Sequence, residues 1–219
     1  MLLLEGALPS QIDNAIEAFG LNMGPFRMMD LIGLDLGWRA RKLAGVDSPL
    51  TNKIADTLCE NERFGQKNSK GFYNYSEGSR APNPAPENEE IYFKISEENG
   101  FIRREISDEE IVDRCILALV NEGAKILEEG VAQRASDMDI VYINGYGFPV
   151  WRGGPMFYAN SLGLDKVLEK LKGFQEIDSD FWKPADLLEK LAKDKLKFGE
   201  APDINERKSK MKFPDIVGY

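Results

Sequence analysis

Apolar positions along the chain recur with the 3.6-residue period of an amphipathic helix. Ile12, Ala15, Ile16 and Phe19 predict a helix over 10–19, stopped at Gly20. A turn at Met23-Gly24-Pro25-Phe26 leads into a second helical stretch through Met29, Ile32, Leu36 and Leu43. A third runs over 49–60 with Leu50, Ile54 and Leu58 on one face. The segment 64–75 reads as a loop with a short extended end. Between Ser76 and Glu90, Pro82, Pro84, Pro86 and several acids work against a packed helix or strand, so a linker is expected there. Ser107-Asp108-Glu109-Glu110 has the form of a capping box, in which the serine caps the first amides and the glutamate reaches back. It opens a long helix with Val112, Cys115, Ile116, Leu119, Gly123, Ile126 and Leu127 on its apolar face, ended by Gly130. Later helices are expected over 137–143, 164–171 and 184–192, with Pro184 in the first helical position, where a missing amide costs nothing. The charged, proline-broken tail after Lys195 is expected on the surface.

The two halves resemble each other. Leu4-Glu5-Gly6 matches Glu128-Glu129-Gly130 as a helix end, and Ser10-Gln11-Ile12-Asp13 matches Ser136-Asp137-Met138-Asp139. Gly24-Pro25 matches Gly154-Pro155, and Gly33-Leu34-Asp35 matches Gly163-Leu164-Asp165. The order is kept while the offset grows from 124 to 126 to 130, as small loop insertions produce, so a duplication is expected. In the second copy a full helix precedes Gly130; in the first, only residues 1–5 precede Gly6. The expectation is a chain that begins inside the last turns of a helix. Such a start would uncover apolar surface on the next one, at Ile12, Ile16 and Phe19.

Composition narrows the chemistry. The 219 residues are 42% hydrophobic and 30% charged, an ordinary globular balance. The formal net charge of -9 repels phosphate backbones and anionic lipid, so neither nucleic acid nor a membrane is an expected partner. No apolar run reaches the roughly 20 residues that span a bilayer, and Met1-Leu2-Leu3-Leu4-Glu5 is too short for a signal peptide. The two cysteines, Cys59 and Cys115, fall in apolar stripes and read as buried thiols. The sequence holds no histidine. That excludes Ser-His-Asp and Cys-His sites and removes the usual general base near neutral pH.

Several stretches together resemble one family. Phe19-Gly20 and Met23-Gly24-Pro25-Phe26, followed by Asp30-Leu31-Ile32-Gly33-Leu34-Asp35, are similar to the C-terminal domain of 3-hydroxyacyl-CoA dehydrogenases. Arg63-Phe64-Gly65-Gln66-Lys67 with Gly71-Phe72-Tyr73-Asn74-Tyr75 resembles the segment that closes that domain. Residues 145–149 and 151–159 resemble the duplicated domain of multifunctional β-oxidation enzymes. The resemblance implies an all-α fold of two related helical repeats packed as an internal pseudo-dimer. The expected division is 1–75 for the first repeat, 76–105 for a Pro-rich linker and 106–219 for the second repeat with its tail.

The resemblance also implies a reaction, the NAD-dependent oxidation of 3-hydroxyacyl-CoA to 3-ketoacyl-CoA in fatty-acid β-oxidation. This chain would supply the part that covers acyl-CoA and mediates association. NAD would belong to the complete enzyme, with no cofactor expected in this chain. A Rossmann domain elsewhere would carry the family's His-Glu pair, and this chain alone would be inactive. The compartment implied is the cytoplasm of a bacterium or the peroxisome, and a weak homodimer is expected. The alternative is a separate, non-catalytic helical module that binds acyl-CoA or docks onto a Rossmann-bearing chain.

No catalytic, cofactor-binding or metal residue is assigned. Gly145-Tyr146-Gly147-Phe148-Pro149-Val150 lacks a third glycine, and Pro149 breaks the helix that a dinucleotide fingerprint would open. The family's asparagine has no match in the first copy, and Asn121 stands on the related helix of the second. Met23, Gly24, Pro25 and Phe26 could line the acyl-CoA cleft, against the simpler reading of a helix-connecting turn. Arg39, Arg41 and Lys42 could attract CoA phosphates, although cations suit a helix C-terminus anyway. Arg152 beside Trp151 could pair with another domain or simply stack on the surface. Asp13 and Asp139 read as helix N-terminal acids rather than acid-base catalysts.

Overall fold

The computed structural model describes residues 1–200. Among them are eleven α-helices and one two-stranded sheet. The chain divides into two compact units, Met1–Val112 and a second from Asp113 onward. The tail expected on the surface lies, from residue 201 on, outside the described residues.

The first unit opens with α1 (Leu2–Glu5) and α2 (Pro9–Phe19). Pro9 takes the first turn of α2, where its fixed φ is already helical. As the period predicts, α2 buries Ile12, Ile16 and Phe19, which are only 2%, 3% and 6% exposed. Each such side chain contributes about 1.5–3 kcal/mol on burial. The apolar surface expected at these three positions is therefore covered. The stretch expected as one helix through Leu43 is two, α3 (Pro25–Ile32) and α4 (Asp35–Ala44), because Gly33 at φ 103° ends the first. Its apolar stripe faces outward: Met29, Ile32, Leu36 and Leu43 are exposed, while Asp30 and Asp35 are buried. The period located a real stripe, but buried carboxylates with dedicated donors set which side points inward. Helix α5 (Leu50–Glu60) buries Ile54 and Leu58 as expected.

Residues 76–105, expected as a linker, are folded into the first unit. Strand β2 (Pro82–Asn83) pairs antiparallel with β1 (Asn74–Tyr75), Tyr75 facing Pro82. A 3₁₀ turn at Pro86–Asn88 runs into α6 (Glu89–Glu98), which buries Tyr92 and Ile95. The Ser96 hydroxyl donates to the Leu4 carbonyl at 2.6 Å, and the Arg104 amide to the Glu5 carbonyl at 2.8 Å. The prolines start and edge these elements rather than forbidding them.

Helix α7 (Asp108–Glu128) carries the serine half of the expected capping box, the Glu110 amide donating to the Ser107 hydroxyl at 3.2 Å. The Glu110 carboxylate takes the Arg104 guanidinium. The second unit then holds α8 (Ala135–Tyr146), a 3₁₀ turn at Val150–Arg152, α9 (Pro155–Leu162), α10 (Leu164–Phe174) and α11 (Asp186–Asp194). Its core gathers Leu117, Val120 and Ala124 of α7 with Met156, Leu164, Leu171, Leu188 and Leu191. Of the expected face of α7, Ile116, Gly123 and Leu127 are buried, while Val112, Cys115, Leu119 and Ile126 are half-buried. Pro184 lies outside α11, which starts at Asp186 after Ala185. The Ala185 amide donates instead to the Asn121 side chain at 2.9 Å.

Candidate functional site

The polar centre of the first unit is built on two buried carboxylates. Asp13, in the middle of α2, accepts the Phe26 amide at 2.8 Å and the Arg27 amide at 3.1 Å. It is therefore not an acid at the start of its own helix, as expected. It caps the next one, supplying the acceptor that an α3 beginning with Gly24-Pro25 lacks. The Tyr73 hydroxyl donates to the same carboxylate at 2.6 Å. Gly24 is obligatory there, since a Cβ would land on the Asp13 side chain. The Gly24 amide and the Arg27 guanidinium both reach Glu17, at 3.0 Å and 2.7 Å.

Asp30, projecting inward from α3, accepts the Phe72 and Tyr73 amides at 2.9 and 3.0 Å and the Tyr75 hydroxyl at 2.9 Å. Arg63 closes the loop from behind, donating to the Gly71 carbonyl at 2.9 Å and to Asn74 at 2.8 Å, with Glu87 at 3.1 Å. Burial pushes the Asp13 and Asp30 carboxyls above their usual range, against hydrogen bonds that pull the other way. It also pushes up the Tyr73 and Tyr75 phenols, reinforced by the carboxylates beside them. Six donors on two buried carboxylates form a satisfied clasp that fixes residues 71–75 against α2 and α3. The segment 63–75 was visible in the sequence; Asp30 as its anchor was not. Its only signal was an acid set among Met29, Leu31 and Ile32.

The second unit repeats the motif. Asp139 of α8 accepts the Met156 amide at 2.8 Å and the Phe157 amide at 3.2 Å, capping an α9 that begins with Gly154-Pro155. A Cβ on Gly154 would again land on the aspartate. Gly33 and Gly163 share one backbone conformation, φ 103° and ψ 121° against φ 94° and ψ 124°. The Asp30 position diverges. The matching Asn160 accepts the Phe198 amide at 2.8 Å through its side-chain oxygen.

The four residues singled out as possible cleft lining divide by role. Gly24 and Pro25 set the start of α3, Phe26 packs edge-on against Phe72 with ring centroids 4.6 Å apart, and Met23 is half-exposed. Of the possible phosphate-binding cations, Arg41 pairs with Asp56, Arg39 pairs with Asp35 at 3.0 Å, and Lys42 lies 4.2 Å from the Trp38 ring centroid. Asp35 also takes Lys67, whose hydrogen bond holds its carboxyl below the usual range. Asn121 is buried, donating to the Lys183 carbonyl at 2.9 Å. Arg152 stacks 4.1 Å from the Trp151 ring centroid. Cys59 is buried, with its thiol pushed up to about 12, which suits packing rather than nucleophilic chemistry. Cys115 is half-buried. Among the described residues, no group of three or more Asp, Glu, Cys or His side chains could hold a metal ion, and no helix is long and apolar enough to cross a membrane.

The sequence matches the family described as "3-hydroxyacyl-CoA dehydrogenase, C-terminal domain" over residues 1–75 and 111–202. It is 42% identical over 207 residues to a peroxisomal bifunctional enzyme of Danio rerio and 41% identical over 208 residues to that of Homo sapiens. Each alignment covers 87% of this chain and 29% of the relative, so the chain spans under a third of the length of the curated relatives it matches. The crystal structure of the dehydrogenase part of multifunctional enzyme 1 from C. elegans superposes with a TM-score of 0.67 at 32% identity. That superposition covers 84% of this chain and 42% of the other. The sequence motifs, the helical fold and the matched segments agree: this chain belongs to the family of the 3-hydroxyacyl-CoA dehydrogenase C-terminal domain.

Proposed function

We propose that this chain is the helical, substrate-covering part of an NAD-dependent 3-hydroxyacyl-CoA dehydrogenase that oxidises 3-hydroxyacyl-CoA to 3-ketoacyl-CoA in β-oxidation. The observation that carries this reading is the family match over residues 1–75 and 111–202 in a sequence without histidine. Taking the hydroxyl proton near neutral pH calls for a base such as histidine. That base, and the fold that holds NAD, would come from a Rossmann domain outside these 219 residues. Within this chain, Met23 and Phe26 at the start of α3 are the residues we assign to the acyl-CoA side, with Gly24 and Pro25 shaping the backbone beneath them. The division 1–75, 76–105 and 106–219 is retained for function, the middle segment serving as a brace that belongs structurally with the first repeat. The compartment follows the same reading: the peroxisome, as the vertebrate relatives' names have it, or the cytoplasm of a bacterium.

The test is enzymatic. The purified 219-residue chain is expected to show no oxidation of NADH with acetoacetyl-CoA above a blank, and no measurable NADH binding. Mixed with a separately produced Rossmann domain from a relative, it is expected to raise that domain's turnover. Turnover by the chain alone would sink the reading; no rise on mixing would count against its substrate-covering role.

A further inference from the structure

The second unit carries a groove between α7, α8 and the start of α9 that the dehydrogenase reading does not use. It encloses about 280 Å³. Met138 and Met156 contribute to its lining, brought close by Gly123 in the middle of α7. A Cβ on that glycine would stand 2.7 Å from the Met156 sulfur and 3.4 Å from that of Met138. Glycine is disfavoured inside a helix, and here its bare backbone admits two polarisable thioethers. Tyr142 and Tyr146 also line it, with ring centroids 5.1 Å apart. At the 126-residue offset that relates Asp139 to Asp13, Tyr142 falls on Ile16, a core residue of the first unit. The aromatic wall is therefore particular to the second copy.

Charge decides what such a groove accepts. Its lining includes two carboxylates, Glu122 and Asp137, and no cationic side chain. Each carboxylate has a cationic neighbour, Lys125 at 3.9 Å on the same helix as Glu122 and Arg134 at 2.9 Å just before α8, in largely solvated pairs that contribute little. Glu122 lines the groove together with the two tyrosines, and burial, Tyr146 and the Glu122 charge all push the Tyr142 phenol up. Phosphates or a carboxylate placed here would meet like charge, which disfavours acyl-CoA and free fatty acids relative to a cation. Tyrosine rings beside a carboxylate attract an ammonium group instead, and the half-buried Met138 and Ile126 offer apolar surface for an alkyl stem.

We propose that this groove binds an apolar organic cation, its ammonium head against Tyr142, Tyr146 and Glu122 and a short alkyl stem over Met138 and Ile126. The assignment is independent of the dehydrogenase reading and is tested by calorimetry on the full 219-residue chain. Hexyltrimethylammonium, hexanol and hexanoate share a stem and differ in head charge. The cation is expected to bind at least tenfold more tightly than hexanoate, with hexanol between them. Glu122→Gln is expected to weaken the cation several-fold and leave hexanol unchanged. Val141→Lys, which plants a charge on an exposed residue of the lining, is expected to abolish cation binding. Both sites are exposed, so retained thermal unfolding checks that the variants fold. Hexanoate binding as tightly as the cation, no binding of any of the three at millimolar concentration, or a cation affinity unchanged in both variants overturns the proposal.

Discussion

Asp13 and Asp30 show how much two residues settle. Each is fully buried, and each accepts two backbone amides and a tyrosine hydroxyl. Removing either carboxylate would strand donors away from water, at about 1–3 kcal/mol per unsatisfied group. Their ionisation has a definite sign. Burial, the largest influence on Asp30, raises its carboxyl in the folded chain above the ordinary 3.8. The folded state therefore holds that proton more tightly than the unfolded chain does. The resulting stabilisation is fully present below about pH 4 and is lost as pH rises through the raised folded value. Asp30→Asn removes this titration, so wild-type stability minus variant stability should fall as pH rises from about 4 to 7. Urea midpoints of the two proteins at several pH values measure it. A gap that widens with pH would show that the hydrogen bonds outweigh burial. The Gly-Pro pairs and the aspartates were legible as repeated letters. Their partnership was not, because a carboxylate reaching from one helix to cap the next leaves no local pattern.

At the scale of elements, the sequence located most helices and missed those whose reason is not periodic. Helix α2 and helix α5 follow their stripes. Helix α9 went unseen because its start is set by Gly154-Pro155 and by Asp139, sixteen residues before Pro155. Helix α6 was hidden because Pro82, Pro84 and Pro86 suggested a linker, whereas Pro86 opens the turn that leads into the helix. The junction into α9 is the most constrained of these starts. Gly154 lies at φ 95°, and a Cβ there would overlap Asp139. Backbone strain of about 1–3 kcal/mol for a side chain at such a φ adds to the cost of displacing the capping carboxylate. Gly154→Ala is thus expected to lose at least about 2 kcal/mol of stability. Gly100→Ala, at φ 71° with nothing within 4 Å of the added carbon, bears the strain alone and is the control. Chemical denaturation of both variants makes the comparison. Equal losses would mean that the contact with Asp139 contributes nothing.

At the scale of the whole molecule, the family was the most legible feature and the outward faces were the least. Long motifs in a fixed order identify a family because steric demands keep glycine, proline and aspartate together. Which apolar stripe faces solvent depends on what else fills the core. Surface exposed by the chain's start was expected at Ile12, Ile16 and Phe19, and those residues are buried. In the first unit, exposed apolar side chains stand instead on α3 and α4, where Leu31 is 48% exposed, Ile32 63%, Leu36 69% and Leu43 90%. Exposed apolar side chains in such number promote association. The isolated chain is therefore expected to self-associate weakly and reversibly through this face, its apparent mass rising with concentration in light scattering. Ile32→Lys with Leu36→Lys should abolish the rise, because charges on the face cannot be buried without partners. Both side chains are mostly solvated, so the double variant should unfold at nearly the wild-type temperature. An association unchanged by the two lysines would place the contact on another surface, the exposed Val150, Trp151 and Phe157 of the second unit being the next to test.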